Sequence, residues 1–299
     1  MYVVLGASGH TGHVVAKNLL AAGEKVRVVG RSADRLQSLA AEGAEIAVAD
    51  ATEAPALTKA LKGAEGTYVL VPPDVTSNDY RTYQDRVSDA IAAAVHNAGV
   101  GNVVSLSSFG ADKPSGTGPV AGLYDLEQKL NQIGGVNVLH LRAGYFMENT
   151  LPQVGIVRAL GSVAGPIRPD LKLPMIATRD IGDAAANALL RRDFRGKQTR
   201  ELLGQRDIDY VEVASIIGKA IGQPSLGYIQ PPEEQLRDSM VKMGMSANFV
   251  GIILEMAGAL NSGHMRALEL RSATNTTPTS YEAFVQEHFV PAYRQQMAA

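Results

Sequence analysis

Short apolar runs alternate with longer amphipathic stretches through the first half of the chain. We predict strands at 2–5, 25–29, 45–49, 67–71, 102–106 and 136–141, with one helix behind the first strand and others at 32–43, 52–63, 79–98 and 123–133. Near-continuous Val, Leu and Ile runs are typical of strands buried on both faces, which pair in parallel with helices above and below. The pattern therefore predicts an α/β fold with a doubly wound parallel sheet of the Rossmann type.

The second half of the chain is less regular. We predict a Gly/Pro-rich loop at 163–174, a strand at 199–203, a polar linker at 272–280, and helices at 179–192, 210–221, 233–260 and 281–293. Met240, Met243 and Met245 either fill gaps between lobe and core or line an adaptable pocket. The two halves predict a dinucleotide-binding domain at 1–150 and a smaller, mainly helical substrate lobe at 151–299 that packs partly back on the sheet.

Three glycines follow the first strand directly. Gly6, Gly9 and Gly12 form a G-x-x-G-x-x-G loop, and Val14, Val15, Leu19 and Leu20 then supply an apolar helical face. Such a loop turns sharply, lets a phosphate approach bare backbone and packs the helix close to the sheet, while the helix N-terminus attracts the anion. The order strand, glycine loop, helix therefore predicts a dinucleotide pyrophosphate site.

The end of the second strand indicates the choice of cofactor. An NAD site needs a carboxylate there, but the strand ends in Gly30, followed by Arg31 and, one helical turn on, Arg35. Guanidinium groups suit a 2′-phosphate, so we predict NADP(H). Asp34 falls inside the first helical turn, where it serves the helix dipole. The alternative is that both arginines are solvated residues of a helix start.

Other polar or special residues end the later strands. Asp50 either accepts the adenine amino group or helps cap the following helix. Val71 and Pro72 end the fourth strand at the carboxyl edge of the sheet, where open α/β sheets bind ligands. Ser107 ends the fifth strand and either faces the nicotinamide or caps a loop.

Tyr124 and Lys129 are the candidate acid–base pair. A phenol whose pKa is lowered by an ammonium group can protonate a carbonyl oxygen. Short-chain dehydrogenases space these residues as Tyr-x-x-x-Lys, but here Gln128 holds the lysine position. A separation of five residues turns the two side chains about 140° apart. Helical phase instead aligns Tyr124 with Glu127 and Gln128.

Composition and charge argue against several classes of function. The chain has 299 residues, 45% of them hydrophobic, a net charge of −2 and no cysteine. It can bury a full core, and it offers no disulfide, thiolate nucleophile or electrostatic attraction to nucleic acid or an anionic membrane. The six histidines show no metal-ligand spacing. We expect a cytoplasmic protein with a small-molecule substrate and no bound metal, and leave a homodimer open.

Several segments resemble the NmrA-like group of atypical short-chain dehydrogenases/reductases. These are Gly-Ala-Ser-Gly-His-Thr-Gly at 6–12, Val-Gly-Arg-Ser at 29–32, Leu-Arg-Ala-Gly-Tyr-Phe-Met-Glu-Asn at 141–149, Leu-Pro-Met at 173–175, Arg-Asp-Ile-Gly at 179–182 and Thr-Pro-Thr at 277–279. The resemblance covers nearly the whole chain. The group contains NADPH-dependent quinone, dye and phenylpropanoid reductases, and redox-sensing regulators with little turnover.

The resemblance also implies site roles. The pyrophosphate would lie against Gly6, Ser8, Gly9, His10, Thr11 and Gly12. Arg31 would bind the 2′-phosphate, Gly144, Tyr145 and Phe146 would pass near the nicotinamide, and Asn149 would lie near the substrate. Members often carry His where this chain has Tyr124, with a lysine matching Lys129. Hydride delivery to a quinone or cationic dye can take its protons from water, so this departure is compatible with catalysis.

Three functions follow from these patterns. The first is NADPH-dependent reduction of a quinone, dye or enone-like compound. The second is a dinucleotide-sensing regulator, and the third, which normally needs the regular Tyr–Lys spacing, is a sugar-nucleotide epimerase or dehydratase.

Overall fold

The computed structural model describes residues 1–295 as alternating strands and helices. The strands are β1 Tyr2–Leu5, β2 Val26–Gly30, β3 Glu45–Val48, β4 Gly66–Val69, β5 Asn102–Ser108, β6 Asn137–Ala143, β7 Tyr145–Phe146, β8 Ser162–Ala164, β9 Leu173–Ile176, β10 Lys197–Leu202, β11 Asp207–Ile208 and β12 Gly227–Ile229. The helices are α1 His10–Ala21, α2 Gln37–Ala41, α3 Ala54–Leu61, α4 Tyr80–Ala98, α5 Val120–Asn131, α6 Gln153–Leu160, α7 Thr178–Arg191, α8 Tyr210–Ile221, α9 Glu233–Lys242, α10 Ala247–Asn261, α11 Tyr281–Phe284 and α12 Val290–Gln295. Short 3₁₀ turns cover Asp34–Leu36 and Met147–Thr150, and a π-helical segment covers Val285–Phe289.

The main sheet has seven parallel strands in the order β3-β2-β1-β4-β5-β6-β10. The chain runs outward from β1 to β3 and then crosses back to β4, so the strand order reverses beside β1. All residues of β1 and β4 are buried, as expected for central strands with helices on both faces. The doubly wound Rossmann-type sheet is therefore confirmed, and its ligand crevice is expected at the carboxyl ends near β1 and β4.

Part of the chain after residue 150 belongs to the main sheet, and another part packs in a second, mainly helical apolar cluster. The strand predicted at 199–203 is β10, which pairs with β6 along its whole length. Helix α7 packs closely on α1, because a Cβ added at Gly182 would lie 2.6 Å from the Val14 Cβ. Other residues of the second half pack with Phe284 and Phe289 in an apolar cluster that also includes Phe109 and Val120 of the first half. The domain boundary at 150 stays a prediction, and residues 296–299 of the proposed lobe lie outside the described part.

Local corrections concern turns and helix ends. Ser32 does not cap the helix after β2, because the chain first makes the 3₁₀ turn from Asp34 with Ala33 as its N-cap. Short strands β8 and β9 occupy the ends of the predicted loop 163–174. The stretch 233–260 is two helices, and α9 buries none of its residues. Met243 in the break is 58% exposed, so it neither fills a lobe–core gap nor lines a pocket.

No helix within residues 1–295 is long and apolar enough to cross a membrane.

Candidate functional site

A tight glycine turn joins β1 to α1 at the carboxyl edge of the sheet. Gly6 has a φ of 64°, and its carbonyl oxygen accepts a hydrogen bond from the Gly9 amide at 2.9 Å. A Cβ on Gly12 would lie 2.5 Å from this same oxygen, so the turn excludes a side chain there. Gly9 has an extended backbone, and a Cβ on it would meet only the Gly6 oxygen, at 3.3 Å. The turn is therefore built around glycine, with Gly9 on its open side.

The N-terminus of α1 is suited to an anion. Among the described residues no side chain caps this end, and its first turn carries no acidic residue. His10 and Thr11 line the adjoining cavity, and Thr11 is held from behind by the Tyr68 hydroxyl, which donates to its Oγ1 at 2.9 Å. Uncapped amides and the helix dipole attract negative charge, so this end fits a dinucleotide pyrophosphate.

A cavity of about 650 Å³ runs along the carboxyl edge from this turn. Its lining contains nearly all the predicted cofactor residues, namely Gly6, Ser8, Gly9, His10, Thr11, Arg31, Asp50, Val71, Pro72, Tyr145 and Phe146. Ser107 and Asn149 also line it. Gly12 is buried behind the turn and supports it from there.

Arg31 and Asp50 lie together at the end of the cavity next to β2 and β3. The Arg31 charge helps to lower the pKa of Asp50, although hydrogen bonds from Thr52 contribute more. Asp50 Oδ1 accepts from the Thr52 amide at 2.9 Å and hydroxyl at 2.7 Å, so this oxygen caps the turn. Arg35 lies in the 3₁₀ turn and is absent from the described lining, so only one of the two predicted arginines borders the cavity.

Tyr83 is a neighbour of Arg31 and Asp50 that sequence reasoning missed. It lies on α4, and its hydroxyl donates to the Pro72 carbonyl at 2.9 Å. Burial raises its pKa to about 12, with the Arg31 charge acting in the opposite direction. Tyr83 therefore stays neutral and holds the β4 loop against α4.

The cavity is also lined by side chains of α4 and α10 that the sequence analysis missed. Tyr80 and Gln84 on α4, and Phe249, Ile253 and Met256 on α10, line it. The α10 residues follow i, i+4, i+7 spacing and so share one helical face, a signal that could have been read from the sequence. Tyr80 and Phe249 pack edge to face with centroids 4.9 Å apart, which joins the two helices into one apolar wall.

Ser107 borders the cavity, but its hydroxyl is already engaged. It donates to Glu127 Oε1 at 2.5 Å. Glu127 also accepts two hydrogen bonds from Arg142, at 2.9 and 2.6 Å, and this ion pair is almost completely buried. The network fixes the end of β5 against α5. A role for Ser107 at the nicotinamide stays a prediction.

The structure does not bring Tyr124 or Lys129 to the described cavity lining. On α5 it is Val120 and Leu123 that face the cavity. Lys129 Nζ instead forms an ion pair with Asp89 Oδ1 at 2.6 Å and donates to the Asp85 carbonyl, both on α4. The position of Lys129 fits a link between helices, and the catalytic roles of both residues remain predictions without geometric support.

The chain after β6 forms the opposite wall. Gly144 is required there, because a Cβ would lie 2.1 Å from the Pro174 carbonyl oxygen. Burial raises the pKa of Tyr145, against hydrogen bonds to Tyr210 and Asn149 that lower it. Tyr145 is therefore a neutral phenol held in place, and Asn149 reaches the cavity beside it.

A buried Ser–His–Asn array links β5, β6 and the end of α5. Ser105 Oγ lies 2.7 Å from His140 Nδ1, and His140 Nε2 lies 3.0 Å from Asn131 Oδ1. Ser105 and His140 are each only 1% exposed, and burial lowers the pKa of His140 to about 4. The array has no access to a substrate and is structural.

Within residues 1–295, no group of three or more His, Cys, Asp or Glu side chains is arranged to hold a metal ion.

The model of the NmrA-like family matches residues 2–282 of the chain. The chain therefore belongs to the NmrA-like family, which confirms the resemblance drawn from its motifs.

Among curated proteins, the chain is similar to an NAD(P)H azoreductase from Xenophilus azovorans and to quinone oxidoreductase 2 from Escherichia coli K12. The azoreductase is 28% identical over 258 residues, which cover 86% of each chain. The quinone oxidoreductase is 28% identical over 228 residues, or 75% of each chain.

Two solved structures share the fold. One is the E. coli quinone oxidoreductase QOR2 complexed with NADPH, with a TM-score of 0.79, 24% identity and coverage of 96% of this chain and 99% of that one. The other is the triphenylmethane reductase of Citrobacter sp. complexed with NADP(H), with a TM-score of 0.79, 17% identity and coverage of 97% and 100%.

Proposed function

We propose that this member of the NmrA-like family is an NADPH-dependent reductase that delivers hydride to a quinone or dye. The observation that carries the proposal is one cavity whose lining combines two kinds of chemistry. The glycine turn, the uncapped α1 N-terminus and Arg31 suit an anionic cofactor, and side chains from α4 and α10 form an apolar wall. The similar azoreductase, quinone oxidoreductase and dye reductase support the same reaction class.

The cofactor half follows from anion chemistry. The bare backbone around Gly9 and the α1 N-terminus bind the pyrophosphate, and Arg31 binds the 2′-phosphate. Asp50 already uses one carboxylate oxygen for its turn and offers the other to the adenosine. The nicotinamide of a dinucleotide held in this way would be bordered by Val71, Pro72 and Tyr145, which line the cavity after β4 and β6.

The acceptor half suits flat, conjugated molecules. A reduced nicotinamide bound there supplies the hydride. The side chains of Phe249, Ile253 and Met256 offer apolar contact area and exclude water, which strengthens electrostatic interactions within the site. The cavity lining contains no Tyr–Lys pair within the described residues, and quinone reduction does not require one because the reduced acceptor takes its proton from water.

Steady-state assays test the proposal. Loss of NADPH absorbance is followed with a benzoquinone, an azo dye and a triphenylmethane dye, and turnover with at least one acceptor class is expected. Binding of NADPH without turnover on the whole panel would contradict a reductase and favour a dinucleotide sensor.

A matched pair of α10 variants tests the acceptor wall. Ile253→Ser places a hydroxyl in the wall and should raise the acceptor KM several-fold without changing NADPH affinity. Ile252→Ser is the control, because Ile252 is similarly half-buried but does not belong to the cavity lining. Equal effects of the two substitutions would show that α10 responds to packing and is not an acceptor wall.

A further inference from the structure

Glu148 borders the cavity, and one of its carboxylate oxygens is fixed by hydrogen bonds. The residue lies in the 3₁₀ turn after β7 and borders the cavity. Its Oε1 accepts from the Thr178 amide at 2.9 Å and from the Thr178 hydroxyl at 2.6 Å. These two bonds at the start of α7 set the orientation of the whole carboxylate.

The second oxygen of Glu148 is buried and unsatisfied. Among the described residues, Oε2 has no hydrogen-bond partner and is closed to solvent. A buried acceptor without a partner is costly, and the cost is greater when the acceptor is charged. Because this oxygen is covered, the charge of the carboxylate acts on a ligand in the neighbouring cavity through space and not by contact.

The charges around the cavity are unevenly placed. Arg31 and Asp50 lie at the adenosine end, next to β2 and β3. Glu148 lies on the β6 side, beside Tyr145 and Phe146, where the lining offers aromatic rings and no described cation. Its negative charge therefore acts on that end through a weakly screening medium.

We propose that Glu148 provides the negative charge that stabilises the oxidised nicotinamide and thereby promotes hydride release. Hydride transfer moves one proton together with two electrons from the nicotinamide to the acceptor, and it leaves the nicotinamide ring with a positive charge. The reduced acceptor takes its remaining proton from water. A fixed carboxylate near the ring favours the positively charged product over the neutral reactant, and it needs no reorganisation during the reaction. The inference rests on the proposed function for the identity of the cofactor.

Glu148→Gln tests the charge with little change in shape. Glutamine keeps an acceptor for Thr178 and removes the negative charge. Isothermal titration calorimetry without any acceptor gives the Kd values of NADP⁺ and NADPH. We expect the ratio of Kd for NADP⁺ to Kd for NADPH to rise about tenfold, which is about 1.4 kcal/mol. Glu148→Asp retains the charge and should give a smaller change.

Asp50→Asn is the matched control. It removes a carboxylate from the same cavity at the adenosine end, which the two redox forms share. In Asp50→Asn the ratio of the Kd for NADP⁺ to the Kd for NADPH should stay at the wild-type value, even where the two Kd values themselves change. If Glu148→Gln does not fold, Glu148→Leu replaces it, because an apolar side chain removes both the charge and the unsatisfied acceptor.

An unchanged ratio of the two Kd values in Glu148→Gln and Glu148→Leu would overturn the inference. An equal change of this ratio in Asp50→Asn would also overturn it. Failure of the proposed function looks different. It appears as absent turnover in the wild-type protein, whereas the binding ratio is measured without turnover.

Discussion

If Arg31 binds the 2′-phosphate, it determines the preference of the protein for NADPH over NADH. It follows β2 directly, borders the cavity and is exposed at its rim. The substitution Arg31→Ala removes the guanidinium group and leaves the glycine turn and the α1 N-terminus unchanged. NADPH binding should weaken, while NADH, which lacks the 2′-phosphate, should bind as before.

The magnitude follows from the position of Arg31. A charge-assisted hydrogen bond contributes about 1.5–3 kcal/mol, and exposure at the rim favours the lower half of that range. The remaining Asp50 carboxylate, whose charge interacts with Arg31, would then face the phosphate without compensation. We therefore expect at least a tenfold loss in NADPH affinity, which equals about 1.4 kcal/mol. The loss should shrink as salt concentration rises.

Calorimetric titration of NADPH and NADH against wild type, Arg31→Ala and Arg35→Ala measures the discrimination. Arg35 is the matched control, since it is an exposed arginine four residues further on and does not line the cavity. Equal losses for NADPH and NADH in Arg31→Ala would refute the reasoning. A similar loss in Arg35→Ala would show a general charge effect of this surface.

Three further predictions concern the turn, the proton and the buried histidine. Gly9→Val should abolish dinucleotide binding by calorimetry in a protein that still folds, because the backbone at Gly9 is extended and an added Cβ meets only the Gly6 carbonyl oxygen, at 3.3 Å; retained binding would place the pyrophosphate elsewhere. Tyr124→Phe should lower quinone turnover by less than about tenfold, and a loss within the 10²–10⁴-fold range of a general acid would make Tyr124 the proton donor. His140 has a pKa of about 4 when folded and 6.5 ordinarily, so below pH 6.5 the unfolded chain binds a proton that the folded one does not. Stability is therefore full above pH 6.5 and should fall by about 3 kcal/mol as the pH drops toward 4, measured by urea unfolding, and an equally steep fall in His140→Gln would assign it to other groups.

Local sequence patterns were sufficient to predict the sheet and the glycine turn between β1 and α1. Buried Val and Leu runs mark the central strands, and glycine spacing marks a turn whose carbonyl leaves no room for a Cβ at Gly12. Arg31 could be predicted to border the cavity because it directly follows β2. The end of a strand fixes the position of the next residue relative to the edge of the sheet. These features depend on neighbours along the chain.

Local sequence patterns did not predict which side chains a helix turns toward the cavity, or which distant elements pack together. Tyr124 has the chemistry of a proton donor, but α5 turns Leu123 toward the cavity and Lys129 toward Asp89. The apolar wall proposed for the acceptor joins α4 to α10, elements more than 140 residues apart in the chain, through the contact of Tyr80 with Phe249. A sequence pattern shows which face of a helix is apolar, and packing alone decides what that face meets.

The sequence by itself determined the fold class, the family and the glycine turn after β1, because each rests on periodicity, on short motifs or on short-range backbone geometry. Only the tertiary structure decided which polar groups are available to a ligand. Ser107 donates its hydroxyl hydrogen to Glu127, whereas Glu148 borders the cavity with one buried oxygen that has no hydrogen-bond partner among the described residues. The physical reason is that a side chain's partners come from elements that are distant in the chain, and the hydrogen bonds they form leave some groups free to act and occupy others.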